Sequence, residues 1–369
     1  MDLIVYNKNF ELITVVDSFK SLMWCKRYND IGAIDLQVEA TAKNLNTFRE
    51  GYYIARYDDD AVFRIEMVEL DTTESKDNSL LIGAYDVKKI LNQRIVYETE
   101  TYDTTVESAI RKMIEKNIIN PTDERRKISN FALKDKKNFE DRTRMQTTYA
   151  NIGEKISSLC KTYDYGYRVT LENGTFYFDL YKGENKTLTS SVVFSPSFDN
   201  VVSSKYVKDT SEFKNVALVA GEGEGKNRKK VEIGEDEGLE RFEVYVDAKD
   251  MSSEEGAISA DIYENMLLEK GKEELAQYVV ETSFEAEINT FLFKYKQDFD
   301  LGDIVSIENE YGIKITAQIT EVIETWDDSG YKFEPVFDYI GVETYLTDED
   351  GNTLTTEDGA TMLYEGEII

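Results

Sequence analysis

The chain has 369 residues, of which 41% are hydrophobic, and a net charge of −30 from 43 basic and 73 acidic side chains. This hydrophobic content excludes a disordered protein, and the length predicts two to four domains. Histidine is absent, which excludes imidazole-based catalytic triads and HExxH zinc sites. The acidic excess predicts no tight nucleic-acid binding over a broad face, because phosphates would be repelled.

The chain contains two cysteines, Cys25 and Cys160, too few for a disulfide framework or a four-thiolate metal site. Cys160 falls on the apolar stripe of a predicted helix, so a buried structural thiol is expected. No run of about 18 apolar residues is present, and the N-terminus lacks a basic segment followed by an apolar one. We therefore expect neither a membrane span nor a secretory signal, and synthesis in a cytoplasm.

The first hundred residues alternate between apolar and polar positions, which is typical of strands. Segments LIVY and FELITVV flank a turn at 7–9, SLMWCKRY and AIDLQVEA flank a turn at 29–32, and residues 58–60 form a charged turn between two further strands. The pattern predicts a first antiparallel β-barrel-like domain over residues 1–100.

Helical spacing begins at Thr104, where T-T-V-E has the form of a capping box, and ends before Pro121. A second helix is predicted over 149–163. The Asn173-Gly174 dipeptide predicts a hairpin between two alternating strands. Residues 101–191 are therefore expected to form an α+β module.

Residues 192–342 are predicted to form a second β-barrel-like domain that contains one long helix at 253–278, opened by S-S-E-E, and later strands such as SFEAEINTFLFKYKQ. Residues 343–369 carry an acidic Asp-Gly repeat, LTDEDGNTL followed by LTTEDGATM. Its spacing does not match an EF-hand loop, so a short β extension is favoured over a calcium site. The predicted fold class is α+β and β-rich, with two small antiparallel β-barrel-like domains, an inserted α+β module, one long helix and a short C-terminal β repeat.

The stretch LVAGEGEGKNRKK, residues 218–230, is rich in glycine and basic residues. A phosphate loop of the GxxxxGK[ST] type would need glycine at Ala220 and a hydroxyl at Asn227, and the dinucleotide pattern would need glycine at Lys226. Both templates fail, and Glu222 and Glu224 would repel a pyrophosphate. We interpret the stretch as a solvated turn between the strands NVALVAG and KKVEIG.

Catalysis by two carboxylates, as in glycoside hydrolysis, does not need histidine and is still possible. The sequence selects no pair of acids for it, because the criterion is the distance between the two carboxyl groups in the folded protein. Residues 235–237 and 327–328 lie beside glycines in predicted turns, where solvated acids are expected. The alternating aromatics Tyr165, Tyr167, Phe176 and Phe178 indicate packing first, with a carbohydrate-binding face as the alternative. No catalytic, cofactor-binding or metal-ligating residue is identified, and no cofactor is expected.

Four segments, in order along the chain, resemble those of siphophage tail hub proteins, the baseplate-hub or tail-associated family. The segments are INPTDERRKI at 119–128, YGYRVTLENGTFYFDLYKGENKT at 165–187, NVALVAGEGEGKNR with GLERFEVYVDA at 215–248, and DFDLGDIVSIENEYGIKITAQITEVIETWDDSG at 298–330. The resemblance extends over about residues 1–342. It implies that the glycine-rich turn belongs to a β domain of a viral assembly protein.

The resemblance implies a non-enzymatic structural hub: a homotrimeric ring that closes or continues the tail tube and joins the distal tail protein to the tail tip. Expected partners are two further copies, a distal tail protein ring or tail tube protein, and a tail-tip or receptor-binding protein, while phage DNA passes through the lumen without tight binding. Such a protein is located in the virion, at the tail tip or baseplate, after assembly in the host cytoplasm. The chain stops soon after the repeat, so no separate hydrolase domain is expected. The alternatives are a carbohydrate-binding receptor module and a cell-wall glycosidase at the tail tip.

Overall fold

A computed structural model describes residues 1–71, 78–189, 192–253, 256–279, 281–308, 314–341, 344–345 and 363–364. The chain divides into two compact units. The first unit contains Met1–Lys182, Lys208–Glu281 and Glu324–Tyr331, and the second contains Gly183–Val207, Thr282–Ile323 and Lys332–Ile369.

The described strands are β1 Leu3–Tyr6, β2 Leu12–Val16, β3 Ser21–Arg27, β4 Ala33–Glu39, β5 Tyr53–Arg56, β6 Val62–Asp71, β7 Ser79–Asp86, β8 Glu100–Thr105, β9 Phe131–Leu133, β10 Arg142–Thr147, β11 Gly166–Glu172, β12 Thr175–Tyr181, β13 Val193–Phe194, β14 Val201–Asp209, β15 Val216–Ala220, β16 Lys230–Ile233, β17 Glu243–Asp247, β18 Glu281–Ile288, β19 Ile304–Glu308, β20 Lys314–Asp327, β21 Gly330–Gly341, β22 Thr344–Tyr345 and β23 Leu363–Tyr364. The α-helices are α1 Ala42–Thr47, α2 Val106–Ile114, α3 Ile152–Thr162, α4 Lys186–Thr189 and α5 Ala260–Leu275. A π-helical turn covers Glu115–Ile119, and 3-10 turns cover Val87–Gln93, Glu124–Arg126, Pro196–Phe198, Gly225–Asn227 and Gly238–Glu240.

The main sheet of the first unit has the strand order β3-β4-β7-β6-β5-β1-β2. Its neighbours are antiparallel, and both hairpins predicted near the N-terminus, β1–β2 and β3–β4, are confirmed. Alternation along the strands places one set of side chains in a core that is centred on Trp24 and Phe63, whose rings lie 4.6 Å apart. Such edge-to-face ring pairs add to the free energy gained from burial alone.

The N-cap of helix α2 is Thr105, one residue after the predicted N-cap Thr104, because the Thr105 hydroxyl accepts a bond from the Ser108 backbone N–H. Glu107 does not complete a capping box. Its fully buried carboxylate accepts backbone bonds from Lys137 at 2.6 Å and Phe139 at 3.1 Å. The Glu107 side chain therefore holds the loop at 137–139 against the start of α2, a contact that the local sequence does not predict.

The predicted second helix is confirmed as α3, which is capped by Asn151. Cys160 on this helix is fully buried, as predicted, and burial raises the pKa of its thiol. The predicted hairpin is confirmed as β11–β12, whose turn residues Asn173 and Gly174 have φ angles of 50° and 79°. Both values are positive, which is the geometry of a type I′ turn.

A three-stranded sheet in the order β16-β15-β17 packs its inner face on α5 through Tyr263, Met266 and Leu267. The long helix was predicted over 253–278, but α5 covers only Ala260–Leu275. Gly256 has a φ of 91°, which a continuous right-handed helix cannot accommodate, and Ser259 stands at the N-cap. The predicted start was therefore wrong, although α5 is still the longest helix in the described ranges.

The sheet of the second unit has the order β14-β18-β21-β20-β19-β13. The strand predicted through SFEAEINTFLFKYKQ ends early, at Ile288. The Asn289 side chain accepts a bond from the Phe291 backbone N–H at 3.0 Å, which forms a local turn and stops the extended run. Phe194 packs against both Phe299 and Phe337 in the core of this unit.

The α+β, β-rich fold class is confirmed. No sheet closes into a barrel within the described residues. The division at 1–100, 101–191, 192–342 and 343–369 stays a prediction. The Asp-Gly repeat at 346–362 lies outside the described residues.

Candidate assembly surfaces

The glycine-rich stretch connects β15 to β16, which pair antiparallel, as the sequence predicted. Arg228 holds the connection closed: its guanidinium donates to the carbonyls of Gly221, at 2.9 Å, and Ala220, and to the Asp247 carboxylate at 2.6 Å. The Glu222 carboxylate accepts the Ser253 backbone N–H at 2.9 Å. Glu222 and Arg228 are thus engaged in structural bonds, which supports a connecting turn and not a phosphate cradle.

The acids and aromatics considered from sequence occupy the positions expected of structural residues. Residues 235–237 and 327–328 are exposed, and Asp327 accepts the Ser329 backbone N–H in a local turn. The four alternating aromatics Tyr165, Tyr167, Phe176 and Phe178 are buried. The packing interpretation is confirmed, and these four rings form no exposed carbohydrate-binding face.

A groove of about 710 Å³ lies beside the β11–β12 hairpin in the first unit. Its charged side chains neutralise one another: Arg168 lies 3.1 Å from Asp179 and 3.6 Å from Asp60, and Lys134 lies 2.6 Å from Glu172. Burial disfavours the charged form of Arg168, yet the two aspartates raise the pKa of its guanidinium. Arg168 and Lys134 are therefore held charged in ion pairs, and neither is an activated acid, base or nucleophile.

Two kinds of feature are absent from the described ranges. No group of three or more His, Cys, Asp or Glu side chains there is placed to hold a metal ion. None of the helices in the described part of the chain combines the length and the apolar character that a bilayer crossing requires.

Strand β2 forms an exposed sheet edge and is a candidate assembly surface. It is the last strand of its sheet, and β1 is its one neighbour within the described residues. Leu12, Ile13 and Val15 are exposed to 58%, 42% and 39%. The sequence predicts β2 as a strand but not its position at an edge, because hydrophobic alternation does not reveal which strand is outermost.

Strand β14 has the equivalent position in the second unit, where β18 is its one described neighbour. Side chains on both of its faces are exposed, including Val202 at 62% and Tyr206 at 39%. Lys205 forms an ion pair with Glu285 on β18 at 3.1 Å. An exposed strand edge of this length offers a row of backbone groups to another strand.

The sequence matches the family model described as siphovirus ReqiPepy6 Gp37-like protein over residues 2–337. The chain belongs to this family. The resemblance to siphophage tail proteins inferred from the four segments is thereby confirmed. No curated protein matches the sequence.

Three solved structures of tail proteins have a similar fold. The tail protein from Neisseria meningitidis MC58 has 11% identity and a TM-score of 0.58, with 92% of this chain and 97% of that chain covered. The 43 kDa tail protein of prophage MuSo2 from Shewanella oneidensis has 10% identity and a TM-score of 0.54, with 91% and 98% covered. Prophage tail protein gp18 from Listeria monocytogenes EGD-e has 16% identity and a TM-score of 0.50, with 92% and 94% covered. At these identities the Gp37-like chain shares the fold of these proteins.

Proposed function

We propose that this Gp37-like protein is a non-enzymatic hub of the phage baseplate. Three copies form a ring that closes or continues the tail tube and joins the distal tail protein to the tail tip. The family match over residues 2–337 is the observation that carries this proposal. The open, apolar edge of β2 supports it, because an exposed strand edge of this kind is typical of a protein that pairs with another chain.

The mechanism of such a hub is geometric. A ring of identical subunits needs two different surfaces on each copy, so that one surface of each subunit binds the other surface of the next. The free energy of assembly comes from the surface buried between subunits, and no covalent bond is made or broken. The paired charges in the groove beside β11–β12 agree with this role.

The acidic charge of the protein has a second role in the hub, independent of ring formation. A net charge of −30 would repel DNA phosphates, so DNA could pass along an acidic lumen without being held. If repulsion of DNA is the role of this charge, the wall of the channel should be acidic. A density map of assembled tails that shows a neutral or basic wall would remove the charge argument and leave the ring intact.

In this proposal the protein is a virion component at the tail tip or baseplate, assembled in the host cytoplasm. Its partners are its own copies, a distal tail protein ring or tail tube protein, and a tail-tip or receptor-binding protein. Two alternatives predict different measurements. A carbohydrate-binding module would bind host cell-wall glycans as an isolated chain, and a glycosidase would release reducing ends from them.

The deciding experiment counts copies. Purified chain would be analysed by sedimentation equilibrium, and isolated tails by quantitative mass spectrometry against a tail protein of known copy number. We expect three copies per tail and, by electron microscopy, a threefold ring around a central opening. One copy per assembled tail would contradict the hub proposal.

A further inference from the structure

The turn that joins β11 to β12 places an asparagine directly before a glycine. Asn173-Gly174 is the one Asn-Gly dipeptide among the 369 residues. The two residues have φ angles of 50° and 79°, and Asn173 is exposed at the tip of the hairpin. Asn-Gly is favoured in such two-residue turns because both residues tolerate a positive φ. The same sequence brings a side-chain amide next to a backbone nitrogen that has no bulky side chain beside it.

The two groups that would react with each other are free in the folded chain. Within the described residues, the Asn173 amide makes no hydrogen bond and the Gly174 backbone N–H donates none. The Gly174 carbonyl, in contrast, accepts a bond from the Asn130 side chain at 3.0 Å. Apart from the chain neighbours of Gly174, the atom nearest to the place where a Cβ would stand is a Phe10 ring carbon at 3.4 Å. The Gly174 nitrogen is therefore shielded neither by a hydrogen bond nor by a side chain of its own.

Asn138 provides a comparison within the same protein. It is also exposed, and its φ of 64° is close to that of Asn173. The next residue is Phe139, whose backbone N–H donates to the buried Glu107 carboxylate at 3.1 Å. The nitrogen that follows Asn138 is thus engaged in a hydrogen bond, and a bulky side chain stands beside it. The two asparagines share exposure and backbone conformation and differ in the nitrogen that follows them.

We propose that Asn173 is a deamidation site of the folded protein, with water as the co-reactant. The Gly174 nitrogen loses its proton and attacks Cγ of Asn173. The new N–Cγ bond closes a five-membered succinimide, the Cγ–Nδ2 bond breaks, and the amide group takes up a proton and leaves as ammonia. Water then adds to one of the two ring carbonyls and opens the ring to aspartate or isoaspartate. No oxidant or reductant is needed, and the two reacting groups are held together by the chain itself.

The products change both the charge and the backbone of the hairpin. Either product adds a carboxylate beside Glu172, which already forms an ion pair with Lys134 at 2.6 Å, so two acids would share one cation. Isoaspartate also routes the backbone through the side-chain carbon, which lengthens the turn and removes its two-residue geometry. Modified molecules should therefore show faster amide hydrogen exchange along β11 and β12. The inference concerns this hairpin alone and does not depend on the hub proposal.

The experiment follows the full folded chain over time at mildly alkaline pH. Digestion with trypsin at slightly acidic pH then releases peptide 169–182, which contains Asn173, and peptide 138–142, which begins with Asn138. Mass spectrometry detects the mass gain on conversion of an amide to a carboxyl group, and electron-transfer fragmentation distinguishes aspartate from isoaspartate. We expect peptide 169–182 to be converted faster than peptide 138–142, with isoaspartate among its products and a rate that rises with pH.

Two variants test the reacting group and the state of the chain that reacts. Asn173→Gly removes the amide and keeps a residue that adopts a positive φ, so the hairpin should persist and peptide 169–182 should gain no mass. Lys155→Met leaves Glu273 without its buried partner, which lowers the free energy of unfolding. If the reaction takes place in the folded hairpin, Lys155→Met should not change its rate. A rate that rises in proportion to the loss of stability would show that only the unfolded chain reacts and would overturn the inference.

Three further results would also contradict deamidation in the folded turn. Peptide 169–182 that stays unmodified in the folded chain but reacts when the chain is unfolded in urea would show that the turn protects Asn173. Equal rates at Asn138 and Asn173 would remove the role of the free Gly174 nitrogen. Aspartate without isoaspartate would indicate direct attack of water on the amide and exclude the succinimide.

Discussion

Arg56 donates a hydrogen bond to the Glu324 carboxylate at 2.9 Å, and both side chains are buried although 268 positions separate them in the chain. The guanidinium lies 5.1 Å from the Trp24 ring centre and 4.9 Å from that of Trp326. Burial disfavours its charge, but bonds to Asp58 and Glu324 raise the pKa of Arg56. The arginine therefore stays charged within an aromatic environment.

Removing this cation should strongly destabilise the first unit. In Arg56→Met, the Glu324 carboxylate stays buried without its partner, and loss of one member of a buried ion pair typically lowers the free energy of unfolding by about 3–5 kcal/mol. Urea unfolding followed by tryptophan fluorescence would measure the change. Arg125→Met is the control, because Arg125 forms an ion pair with Asp123 at 2.7 Å on the surface. Similar unfolding midpoints for the two variants would contradict the prediction.

Asp86 gives the stability an unusual pH dependence. Burial raises the pKa of this carboxyl from 3.8 to about 6, against the opposing effect of Lys88. The folded state then holds the proton more tightly than the unfolded state, so this group's contribution is favourable at low pH and is lost as pH rises from about 4 to 6.

The variant Asp86→Asn should remove this loss, since an amide oxygen can still accept the Lys88 backbone N–H, which lies 2.8 Å from the carboxylate. We expect Asp86→Asn to match wild type near pH 4 and to exceed its free energy of unfolding by about 3 kcal/mol above pH 6. Urea unfolding at pH steps from 4 to 8 measures the difference. A difference between the two proteins that does not vary with pH would show that Asp86 does not titrate in this range.

Lys155 and Glu273 form a second buried ion pair, with 2.5 Å between the ammonium and the carboxylate. Burial favours protonation of Glu273, but Lys155 lowers the pKa of the carboxyl. Lys155→Met should reduce the free energy of unfolding by about 3–5 kcal/mol, whereas the double variant Lys155→Met with Glu273→Leu should recover most of it, because no unpaired charge remains. A double-mutant cycle by urea unfolding tests this, and additive losses would refute it.

Arg228 should control the order of the connection between β15 and β16. In Arg228→Ala, the carbonyls of Ala220 and Gly221 and the Asp247 carboxylate lose their shared donor. We expect faster amide hydrogen exchange across 221–228, with exchange elsewhere unchanged. Lys226→Ala in the same loop is the control, because Lys226 is exposed. Equal exchange in the two variants would mean that the arginine does not close the loop.

Local patterns in the sequence predicted those parts of the fold that depend on neighbouring residues. The Asn173-Gly174 turn and the cap region of α2 carry their signals within a few positions. The start of α5 was wrong because S-S-E-E has the form of a cap, whereas the backbone at Gly256 is left-handed. The open edges of β2 and β14 could not be predicted, because strand order depends on contacts between distant segments.

The position of Glu324 also affects when the protein can fold during synthesis. Glu324–Tyr331 belongs to the same compact unit as the N-terminal strands, so the ribosome must add 268 residues after Arg56 before its buried partner exists. At the usual speed of translation this takes roughly 15–50 s. During that interval Arg56 has Asp58 as a partner but lacks its buried counterion Glu324, and a chain terminated before Glu324 would keep that defect permanently. The segment Glu324–Tyr331 therefore determines whether the first strands reach their final stability.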